Sequence, residues 1–172
     1  MQLNVCEIFY SLQGESTYAG LPCIFVRLSG CNLSCSWCDT TYANEVCTPM
    51  TLDKIIEQIS PIDCRLVELT GGEPLLQDHT VDLISRLLHR GYRVLIETNG
   101  SRSIRDLPKE CVKIMDIKCP SSSEAGSTLW ENLNDLDQKD EIKFVVGTVE
   151  DYTYARQIII EKLAGFPAEN IH

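Results

Sequence analysis

The segment Cys31-Asn-Leu-Ser-Cys35-Ser-Trp-Cys38 decides how the rest of the chain is interpreted. It places three thiols within eight residues, separated by three and then two residues, directly after a predicted strand at Pro22–Gly30. Four thiolates normally hold an iron–sulfur cluster. Three thiolates at this spacing can hold three irons of a 4Fe–4S cluster and leave the fourth iron open to a small molecule. The segment therefore predicts a soft-metal site and favours chemistry over simple electron storage.

Two other interpretations of these cysteines stay open at this point. A structural zinc site would need a fourth sulfur, such as that of Cys47, but structural zinc usually shows paired Cys-x2-Cys units and only one is present. The cysteines can also be inert and buried, because free cysteine behaves as a small hydrophobe. Buried thiols are the expectation for five other cysteines, which lie among apolar residues or at strand ends: Cys6, Cys23, Cys64, Cys111 and Cys119.

The composition of the chain excludes several classes of protein. With 172 residues, 44% hydrophobic and 23% charged, the chain fits one domain with its own core. No window approaches the ~20 apolar residues of a membrane span, and no signal peptide is visible. An odd count of nine cysteines without an export signal argues against a disulfide framework, so we expect a cytoplasmic protein. A net charge of −10 argues against general nucleic-acid binding.

Strands alternate with helices along the chain, which predicts an α/β fold with a mostly parallel sheet. The predicted strands are Asn4–Leu12, Pro22–Ser29, Arg65–Thr70, Arg93–Thr98, Val112–Lys118 and Glu141–Val146. The predicted helices are Thr51–Ile59, Asp78–Arg90, Thr128–Leu136 and Asp151–Leu163, with a polar loop at Gln13–Gly20 and a turn at Pro49.

Alternation within the strands indicates the shape of the sheet. Val67 and Leu69 alternate with Glu68 and Thr70, and the other strands likewise gain polar side chains toward their C-terminal ends. A parallel sheet covered on both faces would be apolar throughout, and burying unpaired charges would be costly. We therefore expect a curved, incomplete β/α barrel with a polar, ligand-filled concavity at the C-terminal ends of its strands. A one-sided sheet with a solvated face is the alternative, although it does not explain why polar groups gather at strand ends.

The cysteine segment, with Trp37 before its last cysteine, resembles the motif of the radical S-adenosylmethionine (SAM) superfamily. Gly71-Gly-Glu-Pro74 is similar to the glycine-glycine-glutamate motif of that superfamily. The resemblance implies a partial β/α barrel in which Cys31, Cys35 and Cys38 hold a 4Fe–4S cluster. In it, the glycines of the second motif let the backbone approach SAM, and Glu73 meets the amino group of SAM. The residues it assigns to the SAM site are Trp37, Cys38, Asp39, Gly72, Glu73, Asn99, Asp116, Ile117 and Lys118, with Glu97 near the ribose.

Within that superfamily, Glu7–Ser16 and Cys38-Asp-Thr40 are similar to segments of the 7-carboxy-7-deazaguanine synthase family. The resemblance implies that Thr40 binds Mg²⁺, and that Arg27 pairs with a substrate carboxylate, which suits the fork of a guanidinium group. The substrate-binding residues it assigns are Leu12, Gln13, Gly14, Glu15, Arg27 and Thr70. No proton-transfer base is identifiable.

The implied reaction converts 6-carboxy-5,6,7,8-tetrahydropterin to 7-carboxy-7-deazaguanine with loss of ammonia, in queuosine and deazapurine biosynthesis. The implied partners are a reductant such as flavodoxin or ferredoxin and a second copy of the chain. A glycyl-radical activase is the first alternative, although the Gln-Gly-Glu loop, Arg27 and Cys-Asp-Thr argue against it. A non-enzymatic iron–sulfur or zinc module is the second.

The resemblance covers nearly the whole chain as a single domain, residues 1–172. Residues 1–22 form a strand and the substrate loop, and residues 23–172 form the partial barrel. The family pattern continues past the last helix into a further strand, whereas this sequence ends at Asn170–His172. Whether the barrel has its last strand is therefore open from the sequence.

Overall fold

Strands and helices alternate in the computed structural model, which describes residues 1–172. The strands are β1 (Gln2–Leu12), β2 (Pro22–Leu28), β3 (Thr48–Thr51), β4 (Leu66–Gly71), β5 (Arg93–Thr98), β6 (Val112–Asp116) and β7 (Glu141–Lys143). The helices are α1 (Leu52–Ile59), α2 (Thr80–His89) and α3 (Val149–Lys162). Short 3-10 turns lie at Thr41–Asn44, Pro74–Leu76, Pro120–Ser122, Trp130–Asp135 and Ala168–Asn170.

All seven strands form one open sheet in the order β3-β1-β2-β4-β5-β6-β7. Strands β2, β4, β5, β6 and β7 run parallel, whereas β1 is antiparallel to both of its neighbours. The predicted α/β class and the mostly parallel, incomplete barrel are confirmed. None of the helices combines the length and the apolar character that crossing a membrane requires.

The apolar face of the sheet packs against helices α1 and α2, as the alternation predicts. Ile24, Val26 and Leu28 on β2 have no exposed surface and share one core with Val67 and Leu69 on β4. A second, smaller core joins the ends of β6 and β7 to helix α3. Because alternate residues of a strand point to opposite faces, these cores leave the other face of the parallel strands free to form a cavity.

Local sequence determines both where helix α1 begins and which of its faces is buried. Thr51 caps its first turn by accepting a hydrogen bond from the Lys54 N–H group at 3.2 Å. Its apolar stripe is buried in full: Leu52, Ile55, Ile56 and Ile59. Cap and stripe agree on one orientation, so the prediction of this helix is confirmed.

Two elements differ from the sequence-based predictions. Residues near Pro49, predicted as a turn, form the edge strand β3, which tolerates a proline because it pairs only with β1. The helix predicted at Thr128–Leu136 is a 3-10 segment at Trp130–Asp135. There the buried Asn132 side chain bonds to the backbone of Gly100, Arg102 and Ile104, and this tertiary contact replaces α-helical geometry.

Smaller differences occur at a bulge and at the far edge of the sheet. Cys6, predicted to be buried, is partly exposed, because the register between β1 and β2 shifts at this residue. Strand β7 ends at Lys143 rather than Val146. Beyond it, Ile171 pairs in parallel with Ile142, and the His172 N–H group donates to the Ile142 carbonyl at 2.9 Å. The segment left open by the sequence therefore lies beside β7.

Helix α3 begins with a reciprocal capping box. The Thr148 hydroxyl accepts a hydrogen bond from the Asp151 N–H group at 3.1 Å, and the Asp151 carboxylate accepts one from the Thr148 N–H group at 2.9 Å. Such a pair satisfies two backbone donors that the first turn leaves without partners.

We expect Thr148→Ala to lower the free energy of unfolding by about 1 kcal/mol, because the first turn loses its hydroxyl acceptor. Urea denaturation followed by circular dichroism measures the change. Thr153→Ala, at an exposed position of the same helix, is the matched control and should change stability far less. Equal effects of the two substitutions would contradict this account of the cap.

Candidate active site

The polar face of the sheet and the loops that follow its strands enclose a cavity of about 960 Å³. All three cysteines of the Cys31–Cys38 segment line it. So do most other residues singled out from the sequence: Leu12, Gln13, Gly14, Glu15, Arg27, Trp37, Asp39, Thr40, Thr70, Gly72, Asn99, Asp116 and Lys118. Only Glu73 and Ile117 of that set are absent from the wall.

The loop after β6 holds the cysteine segment in place through hydrogen bonds. The Ser36 N–H group donates to the Ser122 carbonyl at 3.0 Å, and the Trp37 indole donates to the Ser121 hydroxyl at 3.1 Å. The Ser121 N–H group in turn donates to the Asp151 carboxylate at 2.8 Å. Hydrogen bonds from Ser121 and the α3 cap hold the pKa of Asp151 well below its usual range. The cap of α3 thus positions the segment that carries the cysteines.

The surroundings of the thiols fit an iron–sulfur cluster. The Cys31 sulfur accepts hydrogen bonds from the Leu33 N–H group at 3.4 Å and from the Asn99 amide at 3.8 Å, the kind of contact that tunes cluster sulfurs. No three His, Cys, Asp or Glu side chains lie close enough together to hold a single metal ion.

Gly71 and Gly72 allow a close approach of backbone to backbone. A Cβ atom on Gly71 would lie 2.3 Å from the Leu28 carbonyl oxygen, and one on Gly72 would lie 2.0 Å from that of Gly30. The Glu73 N–H group donates to the Gly30 carbonyl at 2.8 Å. The glycines therefore bring the end of β4 against the end of β2 beside Cys31. The glycines make room for the neighbouring strand, and their expected approach to SAM stays a prediction.

Glu73 is not among the residues that line the cavity, and the expectation that its carboxylate meets the amino group of SAM stays a prediction. It is fully buried and accepts hydrogen bonds from the Thr98 hydroxyl at 2.9 Å, the Asn99 N–H group at 2.7 Å and the Leu75 N–H group at 2.9 Å. Burial raises the pKa of Glu73, and these donors oppose the rise. Its observed role is to join the loop after β4 to the end of β5.

Ile117 is the other predicted cofactor contact that does not line the cavity, and its contact with SAM also stays a prediction. Its side chain is fully buried in the second core with Ile142 and Ile158. Alternation along the chain explains this position, since Asp116 and Lys118 face the cavity and the side chain between them must face the opposite way.

Asp116 presents an unsatisfied acceptor to the cavity. Its Oδ2 atom pairs with the Lys118 ammonium at 2.7 Å and lies 3.8 Å from that of Lys143. Its Oδ1 atom is buried and has no hydrogen-bond partner. Because a buried acceptor without a partner is costly, this atom fits a ligand that brings hydroxyl or amino donors, as SAM does. Lys118 also lies 5.3 Å from the centre of the Trp37 ring.

Arg27 has one structural partner and a free guanidinium end. Its Nε atom donates to Glu7 at 2.8 Å, and the Tyr42 hydroxyl donates to the same carboxylate at 2.9 Å. The guanidinium also lies 5.8 Å from the centre of the Phe9 ring. Its two terminal nitrogens have no hydrogen-bond partner in the chain. This leaves the geometry that binds a carboxylate with two parallel hydrogen bonds.

The loop Gln13–Gly20 forms the floor of the cavity. Gln13 is buried and its side-chain amide donates to the Glu68 carboxylate on β4. The Thr17 hydroxyl donates to Glu141 on β7 at 2.5 Å. Leu12 and Glu15 stay largely exposed, although the Glu15 carboxylate bonds to Lys143 at 2.7 Å. The loop therefore connects β1 to strands on the far side of the sheet.

The sequence analysis assigned three charged residues of the cavity either no role or a different role. Lys143 was assigned no role, yet it forms ion pairs with Glu97 and Glu15 inside the cavity. Glu68 was assigned to the polar face without a role, and Glu97 was placed near a ribose. Only strand order brings these residues together, because β4, β5, β6 and β7 lie side by side. The alternation of β4 and β5 was the one available signal.

Comparisons with known proteins identify the family of this chain. The model of the radical SAM superfamily matches residues 25–120. The 7-carboxy-7-deazaguanine synthase of Koribacter versatilis is 49% identical over 157 residues, covering 90% of this chain and 70% of that protein. That of Chlorobaculum tepidum is 45% identical over 161 residues, covering 91% and 73%. The crystal structure of QueE from Escherichia coli superposes with a TM-score of 0.81 at 26% identity, covering 94% of this chain and 79% of that one.

We expect Gly72→Ala to lower the free energy of unfolding by about 2 kcal/mol or more, because the new methyl group clashes with the Gly30 carbonyl. The same shift displaces Cys31, so iron bound per chain after reconstitution should also fall. Denaturation and iron analysis measure the two effects. Gly126→Ala is the control, since nothing lies within 4 Å of its added Cβ atom. Full stability of Gly72→Ala would refute the close approach.

Proposed function

This chain belongs to the radical SAM superfamily and, within it, to the 7-carboxy-7-deazaguanine synthase family, and we propose the roles of its residues on that premise. It is a radical SAM lyase, and the substrate is 6-carboxy-5,6,7,8-tetrahydropterin, which loses ammonia to give 7-carboxy-7-deazaguanine. One observation carries the proposal: three cysteines and the free end of the Arg27 guanidinium line the same cavity.

The cofactor side of the cavity lies at the ends of β2, β5 and β6. Cys31, Cys35 and Cys38 hold the 4Fe–4S cluster through their thiolates. Bound together, the cluster and SAM supply the one-electron chemistry that starts the reaction. The residues proposed to hold SAM are Trp37, Cys38, Asp39, Gly72, Asn99, Asp116 and Lys118. Glu73 and Ile117 complete the proposed SAM site, and Glu73 also fixes the backbone at Asn99.

The substrate side lies between β1, β2 and β4. Arg27 binds the pterin carboxylate through its two free nitrogens, and Thr70, its neighbour across the β2–β4 pair, contacts the same end of the substrate. Leu12, Gln13, Gly14 and Glu15 contact the substrate from the floor. The stacked rings of Phe9 and Phe25, with centres 4.9 Å apart, give the cavity an apolar side. These groups orient the pterin and exclude water from it.

Mg²⁺ is proposed to bind at Thr40. The Thr40 hydroxyl lies in the cavity wall and bonds to the Asp39 carboxylate at 2.7 Å, so two hard oxygens are available there. Mg²⁺ binds few protein oxygens and keeps positions for water and ligand oxygens. The substrate carboxylate, held by Arg27, supplies one of these ligands.

The proposal extends to the organisation of the protein. Residues 1–172 form a single domain that works in the cytoplasm as a homodimer. A small reductant such as flavodoxin or ferredoxin delivers the electron. A glycyl-radical activase would act on a protein rather than a free pterin, and the floor loop and Arg27 favour the small molecule.

The proposal is tested by anaerobic reconstitution with iron and sulfide, followed by SAM, a chemical reductant and the carboxypterin. Wild-type protein should form the deazapurine, and Cys35→Ala should lose SAM cleavage because the cluster loses one of its three thiolates. Cys47→Ala is the control, since Cys47 is exposed and lies outside the cavity. SAM cleavage by Cys35→Ala at the wild-type rate would remove the cluster assignment. Wild-type cleavage of SAM without deazapurine would remove the substrate assignment.

Arg27→Gln should raise KM for the pterin by about 10- to 100-fold, because a charge-assisted pair contributes about 1.5–3 kcal/mol. SAM cleavage in the absence of pterin should change little. Arg65→Gln is the matched control: its guanidinium lies 5.3 Å from the centre of the Tyr92 ring, outside the cavity. An unchanged KM in Arg27→Gln would show that the carboxylate binds elsewhere.

A further inference from the structure

Glu68 is a buried carboxylate in the cavity wall without a cationic partner. Its residue is 3% exposed, and its only hydrogen bond comes from the Gln13 side-chain amide to Oε2. Lys143, the cation of this region, pairs with Glu15, Glu97 and Asp116 instead. Burying a carboxylate is costly unless donors satisfy it. The Oε1 atom has no donor within the chain, so the structure leaves this position for a donor brought by a ligand.

Glu68 lies on β4 two residues before Thr70, on the same face of the sheet as the proposed carboxylate site. Arg27 is the register partner of Thr70, and Phe25 is the register partner of Glu68 two residues earlier. Two residues along a strand span about 6.6 Å. In a 6-carboxypterin the carboxylate and the 2-amino group lie at opposite ends of the fused rings. A pterin that binds Arg27 and lies along β2, against Phe25, therefore points its aminopyrimidinone ring toward Glu68.

We propose that Glu68 binds the 2-amino group and the adjacent ring N–H group of the pterin, and thereby determines specificity for a 2-amino heterocycle. The inference rests on the proposed function and adds the residue that recognises the end of the substrate opposite to its carboxylate. A carboxylate matches two adjacent N–H donors, and Gln13 holds it in a fixed orientation. A 2-oxo ring would turn a carbonyl oxygen toward this carboxylate and be rejected.

A change in the protonation of Glu68 when the pterin binds is a second measurable effect of this contact. Burial and the nearby Glu97 carboxylate raise the pKa of Glu68 to about 8, so the free protein holds a proton there at pH 7. N–H donors stabilise the carboxylate and lower that pKa, so binding of the pterin releases a proton. The other groups that face Glu68 are Lys143 and Glu15, the neutral Phe25 and Gln13, and Cys23, whose pKa burial raises to about 12.

The first test compares the binding of two ligands to reconstituted protein with SAM and without reductant. The ligands are the 6-carboxypterin and its 2-oxo counterpart, a 6-carboxylumazine at the same reduction level. Wild type should prefer the 2-amino ligand, and Glu68→Gln should reduce that preference about tenfold or more. Glu57→Gln is the control: it removes an exposed carboxylate of helix α1 that lies outside the cavity, so it should keep the wild-type preference.

The second test measures proton release by wild type, which does not depend on the folding of a variant. Calorimetry at pH 7 in buffers of different ionisation enthalpy should detect release of up to one proton per pterin bound, and Glu68→Gln should not release it. Equal preference in wild type and Glu68→Gln would overturn the inference, and equal proton release by the two proteins would overturn the assignment of the released proton to Glu68. The proposed function is judged separately, by whether wild type converts the pterin after reductant is added.

Discussion

The contact between the ends of β2 and β4 is the constraint on which the cavity depends. Both strands must finish at the same level for the cysteine segment to follow one and the glycine pair the other. No side chain fits between Gly72 and the Gly30 carbonyl, so the two backbones touch directly. Glu73 then extends this contact to β5 through Thr98 and Asn99. One backbone contact and one buried carboxylate thus align three strand ends around Cys31.

Charge in the cavity is arranged so that little of it is left without a partner. Arg27 pairs with Glu7, Lys118 with Asp116, and Lys143 with Glu97 and Glu15. Each pair offsets the cost of burying its members and holds them in one geometry. The groups that remain unsatisfied are few: the guanidinium end of Arg27, the Oδ1 atom of Asp116 and the Oε1 atom of Glu68. These unsatisfied groups indicate which hydrogen-bond donors and acceptors a ligand must supply, whereas the paired groups do not.

Local sequence predicted those parts of the structure that depend on local physics. The cap and stripe of α1, the parallel strands and the polar face of β4 all follow from spacing and alternation. Edge strand β3 and the 3-10 segment around Asn132 were missed because long-range pairing and side-chain bonds to distant backbone decide them. The same distinction between local and long-range effects applies to the residues of the site. Most motif residues on loops line the cavity, whereas Glu73 and Ile117 lie behind its wall because their surroundings come from other strands.

The floor loop shows why Glu68 and Lys143 could not be found from sequence. Gln13 lies 55 residues from Glu68 along the chain, and Glu15 lies 128 residues from Lys143. Only the course of the loop after β1, which lies across the open sheet, brings these residues together. The loop is fixed at the binding site because Gln13, Glu15 and Thr17 are each bonded to a different residue of the sheet. A substrate that broke the hydrogen bonds of the floor loop would displace the loop that it contacts. The proposed ligand therefore donates hydrogen bonds to Glu68 while the bond from Gln13 to Glu68 is kept.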